Sequence, residues 1–154
     1  MTLADIVELS DLFYIGGTKV GALCGEALIF TKGNMPPHFL SIVKQQGALL
    51  AKMRIVSQQF DALFTDGLYW EIGRQTVALA MRMKQMFLDH GYELYMDSPT
   101  NQQFFILTPE QLERLQRDVV FSVWEHMDDG CAAVRFCTSW ATTEADLDAL
   151  EKLL

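Results

Sequence analysis

Asp11–Phe30, DLFYIGGTKVGALCGEALIF, places one lysine between two apolar runs. The runs Asp11–Ile15 and Ala22–Phe30 read as strands, joined by a turn containing Gly16, Gly17 and Gly21. Lysine is normally solvated, so Lys19 calls for a reason to sit there. A surface position in a hairpin turn is one answer. A phosphate cradle of the P-loop kind is excluded, since that needs Gly-Lys-Ser/Thr before a helix, whereas here Thr18 precedes Lys19 and Val-Gly-Ala-Leu-Cys-Gly reads as strand.

A third answer is chemical. An amine held among apolar and small residues has its charged form disfavoured by desolvation, which favours a nucleophile that condenses with carbonyls. The glycines let a flat cofactor approach the backbone, and the Thr18 hydroxyl can reach a phosphate. These features are compatible with pyridoxal phosphate. On the residues alone, the surface lysine and the Schiff-base lysine both stay open.

The wider sequence narrows the setting. Its 154 residues suffice for one domain or two small lobes, and with 50% hydrophobic and 21% charged residues the chain is globular. A formal net charge of -8 disfavours nucleic acid and anionic membrane as partners, though not a small anion held by one or two local cations. Cys24, Cys131 and Cys137 form no CxxC pair, so neither a disulfide framework nor a metal site is expected, and a cytoplasmic location is. The start MTLADIVELSD lacks the basic n-region of a signal peptide, and no apolar run approaches the ~20 residues of a membrane span.

Along the chain, Thr2 is predicted to cap a short helix carrying Leu3, Ile6 and Val7. Gly33, Asn34, Pro36 and Pro37 break the chain. Apolar residues from Phe39 to Phe64 recur at helical spacing, Thr65-Asp66-Gly67 interrupts them, and a second helix bearing Tyr69, Ile72, Leu79, Met83 and Met86 runs to His90-Gly91. Strands are predicted over Tyr92–Met96, Gln103–Leu107, Val119–Trp124 and Ala132–Thr138. Thr108-Pro109-Glu110-Gln111 is a capping box, and Thr143 opens a last helix with Leu147 and Leu150. Cys24 reads as a small buried residue, and His90 as a cation suited to a helix C-terminus. His38 and His126 have no assigned partner.

Three stretches carry a resemblance: DLFYIGGTKVGALCGEALIF, KQQGALLAKMR and VRFCTSWATTEADLDAL. With them the whole chain resembles the C-terminal portion of low-specificity L-threonine aldolases and related β-eliminating lyases, which are fold-type I pyridoxal-phosphate enzymes. The resemblance implies an α/β chain in which residues 1–66 correspond to the end of an aminotransferase-like, cofactor-binding large domain with its connecting helix. Residues 67–154 then correspond to a small C-terminal α/β domain with a mostly antiparallel sheet. It implies that Lys19 is the catalytic, cofactor-bearing lysine, with Thr18 and Gly17 beside it at the cofactor. Arg135 matches the family's binder of the substrate α-carboxylate, for which a guanidinium fork is suited; by itself it also reads as a strand arginine paired with a carboxylate. Gln46 stands where the family often has a basic residue.

The activity implied is cleavage of the Cα–Cβ bond of a β-hydroxy amino acid, such as threonine to glycine and acetaldehyde. The family's glycine turn for the phosphate, its ring-stacking imidazole and its aspartate for the pyridine nitrogen precede the lysine by more than the eighteen residues present here, and neither Asp5 nor Asp11 sits where that aspartate is expected. The chain is therefore expected to be inactive alone and to associate as a homo-oligomer. Two alternatives stay open: a non-catalytic remnant that assembles with a longer relative, and a β-eliminating amino-acid lyase of the same fold.

Overall fold

The structure, a computed structural model, describes residues 2–154. The chain divides into two compact units, Met1–Tyr69 and Trp70–Leu154.

In the first unit, α1 (Leu3–Leu9) starts at a capping box in which the Thr2 side chain accepts from Asp5 N–H and the Asp5 carboxylate accepts from Thr2 N–H. Strands β1 (Leu12–Gly16) and β2 (Glu26–Phe30) pair antiparallel, from Leu12 opposite Phe30 to Gly16 opposite Glu26. The strand predicted from Ala22 begins only at Glu26. Gly21 and Gly25 adopt φ of 103° and 97°, a left-handed backbone that bends the apolar Ala22–Cys24 run out of the ladder.

The helix predicted from Phe39 to Phe64 is two helices, α2 (Phe39–Gln45) and α3 (Met53–Phe64). Gly47 at φ 73° closes α2: its N–H donates to Lys44 O, and Ala48 N–H donates to Val43 O. These two bonds satisfy carbonyls that a helix end leaves open, so an apolar spacing that continues in sequence is cut in space. Asp66 and Gly67, at φ 52° and 77°, turn the chain after α3, where the sequence places its interruption.

The second unit is built on α4 (Leu68–Asp89), which ends as predicted. Gly91 at φ 80° donates to Leu88 O, Tyr92 N–H donates to Phe87 O, and the Phe87 and Tyr92 rings meet edge to face at 5.0 Å. Strands β3 (Glu93–Met96), β4 (Gln102–Leu107), β5 (Ser122–His126) and β6 (Ala132–Cys137) form an antiparallel sheet in the order β3-β4-β6-β5. Between β4 and β5, α5 (Pro109–Leu115) opens at the Thr108–Gln111 capping box; α6 (Glu144–Glu151) opens at a Thr143–Asp146 box. The bonds from Thr143 hold the Asp146 carboxyl below its ordinary range.

The core of this unit follows strand alternation. Phe105 and Leu107 of β4 and Ala132, Val134 and Phe136 of β6 point to one face, where Leu79, Met83, Met86 and Phe87 of α4, Leu115 of α5 and Leu147 of α6 cover them. The predicted strand at Val119 starts instead at Ser122. Val119 N–H donates to Leu115 O in the turn after α5, and Val119 and Phe121 pack on the core. Their apolar character serves burial and not sheet pairing.

Candidate functional site

Lys19 lies in a single turn of 3-10 helix, Thr18–Val20. The Gly17 carbonyl closes it by accepting from Val20 N–H at 3.1 Å and Ala22 N–H at 2.9 Å. The loop is then clamped to α3. A Cβ on Gly17 would stand 2.6 Å from Ala22 Cβ and 3.0 Å from Phe60 Cζ, and one on Gly25 would stand 2.5 Å from Val56 Cγ1. Gln59 Oε1 accepts from Leu23 N–H in the same docking. Glycine at 17 and 25 is thus what lets the loop backbone touch the helix.

This clamp sets where the side chains go. Gly17, Val20 and Ala22 are buried, while Thr18 and Lys19 are exposed. The burial expected for Lys19 is absent, because the turn puts Val20 inward and Lys19 outward. Cys24, expected to be buried, is exposed for the same reason: Ala22–Gly25 is a bend and not a strand. The turn offers a primary amine able to condense with a carbonyl, next to a hydroxyl able to bond a phosphate. That donor set suits pyridoxal phosphate.

Gly17→Ala is expected to cost about 1–3 kcal/mol, the range for overpacking a filled site. Gly16, with nothing within 4 Å of a built Cβ, should tolerate alanine to within about 0.5 kcal/mol. Urea denaturation of the two variants measures the contrast, and equal stabilities would disprove the clamp.

Arg135, in the second unit, sits on the sheet face opposite the core, with Phe104 and Ser122 as its cross-strand neighbours. It is half-buried. One terminal nitrogen donates to Gln102 Oε1 at 3.2 Å and the other to Ser122 Oγ at 3.4 Å. Its Cζ lies over the Trp124 ring, 5.5 Å from the centroid, and Trp124 meets Phe104 edge to face at 5.3 Å. Among the described residues, buried Nε has no hydrogen-bond partner and no carboxylate pairs with this guanidinium. The reading as an arginine paired with a carboxylate is therefore not met. Between the two edge strands of the same sheet, Tyr95 Oη of β3 donates to Glu125 Oε2 of β5 at 2.7 Å, a bond that raises the phenol above its ordinary pKa.

Lys19, Thr18 and Gly17 are thus together in one turn of the first unit, and Arg135 is in the second. Gln59, Phe60, Gln102, Ser122 and Trp124 had no sequence signal beyond their residue types, because each acts through a long-range contact. His90 Nδ1 lies 2.9 Å from Met86 O at the end of α4. Among the described residues no cluster of three or more His, Cys, Asp or Glu could hold a metal ion, and no helix is long and apolar enough to cross a membrane.

No protein-family model matches the chain. It is 31% identical over 136 residues to the low-specificity L-threonine aldolase of a Pseudomonas species, covering 88% of this chain and 38% of that protein. With the Pseudomonas aeruginosa low-specificity L-threonine aldolase it shares 26% over 144 residues, covering 93% of this chain and 40% of the relative. The chain thus spans about two fifths of the length of the curated relatives it matches. Among solved structures, the Leishmania major threonine aldolase superposes with a TM-score of 0.93 at 37% identity, over 99% of this chain and 45% of that one. Sphingomonas wittichii serine palmitoyltransferase gives a TM-score of 0.66 at 14% identity, over 97% of this chain and 40% of that one, and so shares the fold alone. A structure of SPT with its PLP internal aldimine gives 0.62 at 13%, over 93% and 38%. The architecture is that of fold-type I pyridoxal-phosphate enzymes.

Proposed function

The chain is homologous to the C-terminal portion of low-specificity L-threonine aldolases, and on that premise we propose that it carries part of the site of a pyridoxal-phosphate-dependent lyase that breaks the Cα–Cβ bond of β-hydroxy amino acids, threonine to glycine and acetaldehyde among them. Lys19 is the point of covalent attachment, Thr18 offers its hydroxyl to the phosphate, and Gly17 holds the turn. Bound there, pyridoxal phosphate supplies the electron sink for the pair released at Cα. Arg135 takes the substrate α-carboxylate, since its guanidinium is half-buried and has no carboxylate partner among the described residues. Residues 1–66 act as the end of the cofactor-binding domain and 67–154 as the small domain.

The observation that carries this reading is the clamped turn: glycine contacts on Phe60 and Val56 fix a backbone whose one cationic side chain is held outward beside a hydroxyl. A homo-oligomer is supported by Leu12, Tyr14 and Leu28, which share one face of the β1–β2 ladder and are all exposed. A cytoplasmic setting accords with three free cysteines.

Incubation with pyridoxal phosphate, borohydride reduction and peptide mapping tests the site. Label should concentrate on Lys19 over the other five lysines; Lys84, for one, is held 2.8 Å from Asp97 Oδ1. Label spread evenly, or centred elsewhere, would defeat the assignment.

A further inference from the structure

We propose that Trp124 is a positioning residue for the carboxylate site: its indole face holds the Arg135 guanidinium so that the donors facing the substrate stay free. The inference rests on the reading of Arg135 given above.

A guanidinium on a strand needs something to fix its plane. A carboxylate neighbour would do so but would also cancel the charge and occupy the N–H groups that a substrate carboxylate needs. An aromatic face attracts the cation without consuming a donor. Here the cation is over the Trp124 ring at 5.5 Å, and among the described residues the bonds on its terminal nitrogens are the two long ones to neutral Gln102 and Ser122. Of the four N–H groups on those nitrogens, two remain for a carboxylate fork.

The sheet builds this arrangement. Ser122 pairs with Arg135 and Val123 with Val134, but the register then shifts, so that Glu125 and not Trp124 pairs with Ala133. The extra residue is Trp124. Such an irregularity re-aims a side chain. Phe104, opposite Arg135 on β4, sets the indole edge-on at 78° and so fixes which way its face looks.

The test uses the full chain, labelled with nitrogen-15, and glycine as the probe, following the arginine Nε–H resonances. In the unmodified chain the Arg135 resonance should carry the ring-current displacement of the indole and move as glycine is added. Trp124→Leu should remove the displacement and weaken glycine binding about three- to tenfold, as expected for losing a partly exposed cation–π contact. Trp124→Phe should lie between, because it restores a ring face. Unchanged amide resonances of the Phe87 and Phe105 core serve as the control for folding, and should Trp124→Leu not fold, the phenylalanine variant decides alone against the unmodified chain. If glycine does not move the Arg135 resonance in the unmodified chain, the carboxylate reading falls and the role of Trp124 with it. If glycine does move it but the leucine and phenylalanine variants bind as tightly as tryptophan, or equally weakly, Trp124 only fills space and the proposal alone is overturned.

Discussion

Replacing Lys19 with alanine is expected to remove covalent attachment of pyridoxal phosphate at this turn outright, with label on the peptide containing residue 19 at background after borohydride reduction. Lys19→Arg should lose it equally. An arginine keeps the positive charge but its guanidinium stays protonated and cannot condense with an aldehyde. The pair of variants therefore separates a nucleophilic amine from a mere cation. Neither should disturb folding, because the side chain is exposed and the turn is held by the Gly17 carbonyl and by α3. In a protein where the segment is active, turnover should fall with the label. Mass spectrometry of the reduced digests gives the answer: unchanged total labelling in Lys19→Ala would show that the reactive amine is another one.

The second large effect concerns the core of the second unit. Phe87→Ala should cost about 3–5 kcal/mol, the range for truncating a buried aromatic. Phe87 is fully buried, stacked on Phe105 at 4.0 Å, edge-on to Tyr92 and tilted against Phe136 at 5.1 Å. Its carbonyl also accepts the Tyr92 N–H that closes α4. The substitution leaves that bond in place but opens a cavity between helix and sheet and removes the ring contact with Tyr92. Against a typical stability of about 5–15 kcal/mol that is a large share. Val120→Ala, at a fully exposed position, should stay within about 0.5 kcal/mol. Urea denaturation, with the slope unchanged, compares them; similar midpoints for the two variants would contradict this account of the core.

What could be read without a structure was local. The capping boxes at Thr2, Thr108 and Thr143 each involve a side chain and a backbone amide three residues apart, so residue order alone brings them together. The stop at Gly91 is of the same kind, as is the alternation that turns Val134 inward and Arg135 outward. Family resemblance added Lys19 and Arg135 as candidate site residues through short motifs, and those too are contiguous in the chain.

What failed was the inference from apolar character to regular structure. Ala22–Cys24 is apolar but turned by two left-handed glycines, and the spacing across Gly47 continues although the helix does not. A glycine is permissive in either conformation, so its sequence position does not say which it adopts; the contact with Val56 and Phe60 decides Gly25 and Gly17. The same contacts turn Lys19 to the surface, against the burial expected of it. The indole at Arg135 depends on a register shift between β5 and β6, and the Gln102 contact on the pairing of β4 with β6. Sequence order thus determined the caps, stops and strand faces, whose partners lie within a few residues. Only tertiary structure decided the setting of Lys19 and the neighbours of Arg135, because those depend on which distant segments pack together and in what register.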